Sequence, residues 1–355
     1  MNMRYVFVGD FSGLSLFLSR GLEALGQEVV LYSNGDGWKG IPRGRSIWNN
    51  DVRPVLRPLK QVVGAWQLRH ALREDDVLVL ATEFIFNRHI DAALLSWLAA
   101  SAGRVVLLHA GCSDGFHAAR ESTMLCRECK RHDLNGGDCV FVNGRWSGMT
   151  SLFDRLDTVV PFTEAYVPSA RDYQRPGTGT VVTAPIHFPI DVAHLEQYLH
   201  REGPPPHRVL HGMNRLGFKG TMYLRELMAA RPSLTGLIHL PQRMPFDQFL
   251  RTLGGTEIVL DQLLADGYGM TGALALALGT SVAYGHLEES PTAGFDGTGC
   301  VPFRVTGEAS ADARTLEETL VRHLDTRPHP DDVRALAWQR HDHLKVAAQF
   351  LEHVK

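Results

Sequence analysis

Short runs of apolar, often β-branched residues alternate along the chain with longer segments whose apolar residues recur at helical spacing. Leu14–Leu25 has this helical spacing, with apolar residues three or four positions apart. In the first half the predicted strands are Arg4–Val8, Glu28–Tyr32, Val77–Ala81, Val105–His109, Asp157–Pro161 and Thr180–Thr183. Strands that alternate with helices predict parallel βαβ units, and nearly continuous apolar strands predict a sheet covered on both faces.

A second α/β series follows a proline-rich break at Gly203–Pro206. Its predicted strands are Arg208–His211, Leu237–Leu240, Ile258–Leu260 and Val282–Tyr284, and its predicted helices are about Gly220–Ala230, Phe246–Leu253 and Gly269–Leu278. Asp331–Val354 also has helical spacing. We therefore expect two doubly wound α/β domains, at 1–190 and 191–330, and a C-terminal helix at 331–355 that packs back on the first domain. A ligand cleft is expected outside the carboxyl ends of the strands.

Length and charge agree with two ordinary globular domains. The 355 residues fit about two domains. Lys and Arg number 36 against 39 Asp and Glu, a net charge of −3 that argues against nucleic-acid binding. The opening segment MNMRYVFVGD is too short to span a membrane and lacks the regions of a signal peptide. We expect a cytoplasmic protein.

One stretch departs from this balance of charge. Between residues 39 and 73 the cations outnumber the single acid, Asp51, and tryptophans are interleaved with them. These residues are Lys39, Arg43, Arg45, Arg53, Arg57, Lys60, Arg69 and Arg73, with Trp38, Trp48 and Trp66. A cationic and aromatic stretch suits peripheral contact with an anionic membrane face. The alternative is a solvated basic loop and helix.

Four of the five cysteines lie close together in the first half. They are Cys112, Cys126, Cys129 and Cys139, with two residues between the middle pair. Four thiolates suit tetrahedral zinc in a closed, structural site, and the polar segment around them has little apolar surface with which to fold alone. We expect a small metal-binding insertion at about 110–145.

Other states of this cluster stay open. The alternatives are an iron–sulfur cluster, two disulfides or free thiols. Disulfides are disfavoured if the protein is cytoplasmic, because that compartment keeps thiols reduced. His117 and His132 are reserve ligands if one cysteine is not used, and Cys300 is expected to be a lone thiol.

The loop after the first strand, Gly9-Asp10-Phe11-Ser12-Gly13, is the first candidate for binding chemistry. Small residues such as Gly13 let backbone amides at a helix start approach an anionic or polar ligand. The carboxylate of Asp10 could accept a hydrogen bond from a ligand hydroxyl. The loop does not match the dinucleotide-binding or P-loop pattern, and a tight βα turn is the alternative.

Two further loops are stronger candidates. In the second half Arg215 and Lys219 bracket a glycine-containing loop at a predicted helix start, where two cations can hold a diphosphate. Solvated surface cations are the alternative. Downstream, Asp266-Gly267-Tyr268-Gly269-Met270 opens an apolar helix, and its amides suit phosphates or sugar hydroxyls. An ordinary buried helix entered by a glycine turn explains the same pattern.

In order and spacing, these two segments resemble the C-terminal domain of retaining GT-B glycosyltransferases of the family 4 type. That family has an Arg/Lys–Gly loop, an acid, Gly-aromatic-Gly, and then Glu-Ala-Met-Ala-x-Gly-x-Pro-Val. The opening VFVGDFSGLSLFLSRGLEALGQEVVLYSNGDGWKG resembles bacterial capsule and O-antigen members. The resemblance covers most of the chain and implies two facing Rossmann-like domains, a UDP- or GDP-linked sugar donor, and a glycan or lipid-linked acceptor in polysaccharide biosynthesis.

The resemblance also implies roles for individual residues. Arg215 and Lys219 would bind the donor diphosphate in place of a catalytic metal. Asp266 would face the transferred sugar, and the Gly267–Met270 turn would touch the donor through its backbone. His109, at the end of a first-half strand, would lie near the transferred sugar, although a structural histidine is the alternative.

One position departs from the family pattern. The glutamate that normally holds the ribose hydroxyls is Leu274 here, and leucine cannot form that contact. Another acid, such as Glu257 or Asp261, could supply it, or donor binding is altered. From the resemblance as a whole, we expect a hexosyltransferase-like enzyme. The alternatives are a non-catalytic binding or scaffold subunit and a nucleotide-sugar epimerase of the same fold.

Overall fold

The computed structural model describes residues 3–35, 39–41, 44–46, 54–86, 90–111, 150–199, 203, 205–212, 219–241, 244–286 and 295–354. These residues form two compact units. The first contains the described residues up to Pro189 together with the C-terminal segment from His343, and the second runs from Ile190 to Asp342. None of the helices in these ranges is both long and apolar enough to cross a membrane.

The first unit is built on a parallel sheet of six strands in the order β2-β1-β3-β4-β5-β6. The strands are β1 (Arg4–Val8), β2 (Glu28–Tyr32), β3 (Val77–Leu80), β4 (Arg104–His109), β5 (Thr158–Pro161) and β6 (Val181–Val182). The helices are α1 (Leu14–Ala24), α2 (Arg57–Ala71), α3 (Asp91–Ala99), α4 (Thr150–Phe153) and α5 (Val167–Ala170). Every residue of β3 is buried, as expected of a strand that helices cover on both faces.

The second unit has a parallel sheet of five strands in the order β11-β10-β9-β7-β8. The strands are β7 (His207–His211), β8 (Ile238–His239), β9 (Thr256–Leu260), β10 (Ser281–His286) and β11 (Cys300–Arg304). The helices are α6 (Val192–Leu195), α7 (Thr221–Ala230), α8 (Ser233–Leu237), α9 (Phe246–Gly254), α10 (Met270–Ala277), α11 (Ala309–Asp325) and α12 (Pro330–Arg340). Two parallel sheets confirm the predicted α/β class.

The spacing of apolar residues predicted a single C-terminal helix, but the structure has two. It divides into α12, in the second unit, and α13 (His343–Val354), in the first. At the break the backbone carbonyl of His341 accepts a hydrogen bond from the Ile190 amide at 2.6 Å. The interruption comes from this long-range pairing, and the local sequence contains no glycine or proline that would signal it.

Helix α13 packs closely on α1 because of a glycine. A Cβ atom built on Gly21, in the middle of α1, would meet the His343 carbonyl oxygen and lie 2.8 Å from the Ala347 Cβ. The contact therefore depends on the absence of a side chain at Gly21. The segment from His343 belongs to the first unit, where it packs on α1.

Candidate functional site

The carboxyl ends of β7 and β9 bring a cation and an acid together in the second unit. These strands are hydrogen-bonded neighbours in the sheet. Lys219 lies shortly before α7, and Asp261 is the first residue after β9. The Lys219 Nζ donates to Asp261 Oδ1 at 2.5 Å and to Thr271 Oγ1 at 3.0 Å. Lys219 is only 8% exposed, so this is a largely desolvated ion pair and not a pair of solvated surface charges.

The second oxygen of Asp261 lies at the N-terminus of α10. Its Oδ2 accepts hydrogen bonds from the Gly269 amide at 2.9 Å and from the Gly272 amide at 3.1 Å. A negative charge at this end of a helix is favourable because the first amides have no partner within the helix. Burial opposes ionisation of Asp261, but the Lys219 charge and hydrogen bonds from Lys219 and from the Gly269 and Gln262 amides outweigh it and lower the pKa of the carboxyl.

Lys219 retains donor capacity in this arrangement. An ammonium group has three N–H donors, and the hydrogen bonds of Lys219 within the described residues use two of them, to Asp261 and Thr271. Among the described residues, one N–H of Lys219 is therefore left without an acceptor. Since Asp261 fixes the ammonium group, the remaining donor has a defined position.

The glycine turn before α10 is held rigidly by aromatic packing. Gly267 has a φ of +78°, and a Cβ atom there would collide with the Phe295 ring. The Tyr268 side chain is fully buried, and its hydroxyl lies 3.0 Å from His341 Nε2. Tyr268 is thus part of the core, while Asp266 is buried at the start of the same turn.

Leu274, the departure from the family pattern, is a core residue. It lies on α10, all of whose residues are buried, and is itself 1% exposed. Glu257 does not supply the missing ribose-binding carboxylate, because both of its oxygens are already paired. They contact Arg208 at 3.1 Å and Arg327 at 3.0 Å.

A buried histidine connects β7 to the helix that follows it. His211 Nδ1 lies 2.8 Å from the Leu260 carbonyl oxygen, and Nε2 lies 2.8 Å from Thr221 Oγ1. A carbonyl oxygen can only accept, so Nδ1 carries the proton and Nε2 accepts from the threonine hydroxyl. Burial lowers the pKa of His211 to about 4, so the ring is neutral near pH 7.

In the first unit, Asp10 follows β1 and lies at the start of α1. Its Oδ1 accepts a hydrogen bond from the Ser15 amide at 3.1 Å. Gly13 precedes the helix with a φ of +89°, a conformation that favours glycine. The structure thus places Asp10 and Gly13 in one tight βα turn, with a buried carboxylate at the helix N-terminus.

His109, the last residue of β4, lies in a buried aromatic cluster. Its ring packs edge-to-face against Tyr166 and Tyr173, at centroid distances of 5.9 and 5.5 Å. Its Nε2 lies 2.6 Å from Ser169 Oγ, and this hydroxyl donates to the Tyr166 carbonyl at 3.1 Å. Ser169 therefore accepts from His109 Nε2–H. Burial lowers the pKa of His109 to about 3, so the ring is neutral near pH 7.

The same edge of the first sheet holds one more acid. Glu83 follows β3, the strand between β1 and β4, and Tyr173 donates to its Oε1 at 2.8 Å. Asp10 and Glu83 therefore follow two strands, and His109 ends a third, and these three strands are adjacent in one sheet. This edge is where parallel α/β sheets bind their ligands.

Several predicted residues lie outside the described ranges. These are Arg215, the four cysteines Cys112, Cys126, Cys129 and Cys139 with their reserve ligands His117 and His132, and Trp38, Arg43, Trp48 and Arg53 of the basic stretch. Within the described ranges no group of three or more His, Cys, Asp or Glu could hold a metal ion. Cys300 is a free cysteine, and burial raises the pKa of its thiol to about 12, so it is protonated near neutral pH.

Sequence reasoning missed the partners that hold these side chains in place. The sequence indicates Asp261 only as a substitute for a ribose-binding acid, and it gives no sign of the roles of Thr271, Ser169 and Tyr173. The available signal for Asp261 was its position directly after a buried strand. Thr271, Ser169 and Tyr173 have partners that are distant in the sequence, so no local pattern indicates these contacts.

Comparison with known proteins identifies the fold. No family model and no curated protein matches the chain. Among solved structures, HepE from Anabaena in complex with UDP-glucose is 15% identical with a TM-score of 0.62, covering 99% of this chain and 98% of that one. Sucrose-phosphate synthase from Thermosynechococcus elongatus is 11% identical with a TM-score of 0.61, covering 98% of each chain.

A third similar structure belongs to the same class. AviGT4, a glycosyltransferase involved in avilamycin A biosynthesis, is 14% identical with a TM-score of 0.53, covering 99% of this chain and 96% of that one. These proteins are GT-B glycosyltransferases. The chain has their two-sheet α/β fold.

Proposed function

We propose that this protein is a glycosyltransferase that moves a sugar from a nucleoside-diphosphate sugar to a glycan or lipid-linked acceptor, with retention of anomeric configuration. Three observations support the proposal: the fold, the sequence motifs and the buried Lys219. Neighbours of the same fold bind UDP-glucose or UDP, as HepE does. The observation that carries most weight is a desolvated lysine with a spare N–H at the carboxyl ends of the second sheet.

Lys219 and Arg215 would stabilise the leaving diphosphate. When the bond from the anomeric carbon to phosphate oxygen breaks, its electron pair stays on the oxygen, and cations at that place lower the barrier. The reaction would then need no catalytic metal. Because Asp261 already neutralises Lys219, most of the net positive charge offered to the donor would come from Arg215.

The rest of the donor site would come from the β9–α10 loop. Asp266 would face the transferred sugar, and the backbone from Gly267 to Met270 would line the donor, while the Tyr268 side chain supports the turn from the core. The Gly269 amide already donates to Asp261, which leaves this loop fewer donors for the ligand.

In the first unit, Asp10 and His109 would serve the acceptor and the transferred sugar, with Gly13 shaping the loop that carries Asp10. With Nε2–H donating to Ser169, a neutral His109 keeps Nδ1 as an acceptor for a sugar hydroxyl. The role proposed for His109 is thus hydrogen bonding and not general acid catalysis, since an imidazole with a pKa of about 3 is not in its charged, acidic form near pH 7.

Cleavage of candidate donors tests the proposal. UDP- and GDP-linked sugars would be incubated with the protein, with and without EDTA, and followed by proton NMR to read which anomer is released first. We expect cleavage with retention, insensitive to EDTA and reduced at least about tenfold in Lys219→Met, because a charge-assisted hydrogen bond is lost. Arg225→Met, which removes an exposed cation from α7, is the matched control and should retain activity.

A second candidate function is a non-catalytic binding or scaffold subunit. The buried Leu274 favours it, because a side chain with 1% exposure in the core of α10 cannot hold a ribose. The same NMR assay separates the two functions. Binding of a donor without any cleavage supports the scaffold and contradicts the transferase.

We also propose that Cys112, Cys126, Cys129 and Cys139 hold a structural zinc ion. Four thiolates form the closed tetrahedral set that zinc prefers, and the role would be stabilising and not catalytic. Elemental analysis of the purified protein and of the Cys126→Ser/Cys129→Ser variant tests this. One zinc per chain, lost in the variant, is expected, and an unchanged zinc content would contradict the proposal.

A further inference from the structure

A buried side-chain amide lies beside the Lys219–Asp261 ion pair and has an unused acceptor. Gln262 follows Asp261 at the carboxyl end of β9 and is only 6% exposed. Within the ranges that the structure describes, its Oε1 is buried and has no hydrogen-bond partner. Most buried polar atoms in proteins are satisfied, so an unsatisfied one at a candidate ligand site calls for an explanation.

The surrounding backbone holds Gln262 in this place. Its carbonyl oxygen accepts a hydrogen bond from the Gly285 amide at 3.0 Å, which ties this part of the loop to β10. Its side-chain amide lies directly against Gly269, where a Cβ atom would collide with Nε2. The Gly269 amide is also the one that binds Asp261 Oδ2. The side chain of Gln262 is therefore confined at the start of α10, next to the buried ion pair.

Packing of the core does not account for an amide at this position. The next two residues, Leu263 and Leu264, are apolar and buried, so this loop accommodates apolar side chains. A buried acceptor without a partner costs stability, and an apolar side chain of similar size would avoid that cost. Proteins retain such a cost mainly where function requires the group.

The neighbouring groups indicate what would bind to the amide. A carbonyl oxygen only accepts, so its partner must carry an O–H or N–H, which an ionised diphosphate lacks. In a nucleotide sugar the hydroxyls nearest to the diphosphate belong to the ribose on one side and to the transferred sugar on the other. The Cγ–Cδ torsion of glutamine is soft, so a half-turn can present either Oε1 or Nε2, and a hydroxyl bonds to both.

A neutral amide suits this place better than a carboxylate would. Asp261 already supplies one buried negative charge. A second carboxylate beside it would compete for Lys219 and repel an incoming diphosphate, because like charges at close range disfavour each other. An amide can bind a hydroxyl without adding charge.

We propose that the side-chain amide of Gln262 forms a hydrogen bond with a hydroxyl of the bound nucleotide sugar, on either the ribose or the transferred sugar. Gln262 is then a specificity-determining residue of the donor site. It supplies a hydroxyl contact of the kind that Leu274, a core residue, cannot form. This assignment rests on the proposed function, since it requires a nucleotide sugar at the second unit.

Calorimetry and thermal melting of Gln262→Met test this assignment. Methionine keeps the length of the side chain and removes its hydrogen bonds. UDP, GDP, UDP-glucose and GDP-mannose would be titrated into the intact protein and the variant. We expect the affinity of the variant to fall about tenfold. Its melting temperature without nucleotide should be unchanged or higher, because an unsatisfied buried group has been removed. A glutamine with a purely structural role would lower the melting temperature when replaced.

Deoxy ligands identify the hydroxyl, and with the unchanged protein they do not depend on the folding of a variant. Ribose-deoxy nucleotides and nucleotide sugars that lack single sugar hydroxyls would be compared. Removing the contacted hydroxyl should weaken binding about tenfold in the unchanged protein and have no effect in Gln262→Met, because the two groups form one bond. A loss seen already with the nucleoside diphosphate assigns the ribose. A loss seen only with the sugar-linked ligand assigns the transferred sugar.

The matched control is Gln248→Met, which replaces an exposed glutamine of α9 and should bind every ligand like the unchanged protein. Equal affinity of Gln262→Met and the unchanged protein would overturn the role of Gln262, as would a lower melting temperature of Gln262→Met. Losses that simply add between the variant and every deoxy ligand would also overturn it, because they show no shared bond. If the unchanged protein binds none of the nucleotides, the proposed function fails and this assignment fails with it.

Discussion

At the scale of single residues, Lys219 and Asp261 form a buried ion pair in the second unit. Each is held by the other at 2.5 Å, and Asp261 also binds two amides at the start of α10. Removing one member of a buried ion pair leaves the other charge without compensation. We therefore expect the ion pair to stabilise the folded protein, in addition to its proposed contact with the ligand.

Asp261→Asn is expected to lower the free energy of unfolding at pH 5 to 7 on the order of 3 kcal/mol, because Lys219 loses its charged partner. The pKa of Asp261 is lowered from 3.8 in the folded protein, so its stabilisation is present above that value and is lost as the pH falls below it. Urea unfolding at several pH values measures the difference, which should shrink below about pH 3.8.

The exposed Asp247 provides the control for this effect. Its ion pair with Arg251, at 3.1 Å, lies on the surface of α9, so Asp247→Asn should change stability little. Equal effects of Asp247→Asn and Asp261→Asn would contradict the stabilising role of the buried pair.

Leu274→Glu would restore the family's glutamate at a place that the fold has made apolar. With Leu274 at 1% exposure, the variant buries a carboxylate, and we expect a loss on the order of 3 kcal/mol. Leu274→Met, similar in volume, should cost less than about 1.5 kcal/mol. Thermal melting compares them, and a stable Leu274→Glu variant with improved nucleotide binding would contradict the account of this position as core.

Residue-level prediction from the sequence had a clear limit. Lys219 could be selected because it follows a strand and precedes a helix in a glycine-containing loop. The pairing of Lys219 with Asp261 could not be predicted, because this pairing depends on β9 lying beside β7 in the sheet. Hydrophobic periodicity does not encode strand order. Whether Arg215, Asp266 and His109 contact a substrate stays a prediction.

At the scale of elements, two helices begin at a carboxylate that the chain itself supplies. Asp10 lies at the start of α1 and Asp261 at the start of α10, both directly downstream of a strand. Both helix starts were predicted to bind an anionic or polar ligand through backbone amides. An incoming anion would have to share these amides with a resident carboxylate, which favours recognition of the donor by cations over recognition by amides.

The packing of α13 on α1 gives a prediction about an element. Gly21→Ala should destabilise the protein by about 1 to 3 kcal/mol, because the new methyl group overlaps the His343 carbonyl and the Ala347 side chain. Gly236→Ala in α8, where nothing lies within 4 Å of the new atom, should be neutral or slightly stabilising. Thermal melting of both variants checks this, and a stabilised Gly21→Ala would contradict the close contact.

Periodicity predicted most strands but not all helices. Helix α11, with 17 residues, was missed although Ala313, Leu316, Leu320 and Leu324 are buried along one face. Its many charged residues lowered the apolar content of the segment and hid that face. The end of α12 was missed for a different reason, since the interruption comes from the long-range bond between Ile190 and His341.

At the scale of the whole molecule, each unit carries a histidine that folding keeps neutral. The pKa is lowered to about 3 for His109 and to about 4 for His211, against 6.5 for an ordinary histidine. Between pH 6.5 and 4 the unfolded chain therefore binds protons that the folded chain does not. Stability is full above pH 6.5 and falls as the pH drops through this range.

Each of these histidines should contribute a slope of about 1.4 kcal/mol per pH unit to the free energy of unfolding below pH 6.5. His211→Gln is expected to flatten the curve of stability against pH, although it lowers stability at pH 7 through lost hydrogen bonds. Urea unfolding between pH 4 and 8 measures the slope. A slope that is unchanged in both His211→Gln and His109→Gln would contradict the neutral, buried state of the rings.

The central claim is that the second unit binds the diphosphate of a nucleotide sugar through Lys219. Calorimetric titration of UDP and GDP into the intact protein, Lys219→Met, Lys219→Arg and Arg225→Met tests it most directly. We predict binding of at least one diphosphate that weakens at least about tenfold in Lys219→Met. Affinity should be partly restored in Lys219→Arg, which keeps the charge, and unchanged in Arg225→Met. Binding of neither diphosphate, or equal affinity in a folded Lys219→Met, would contradict the account.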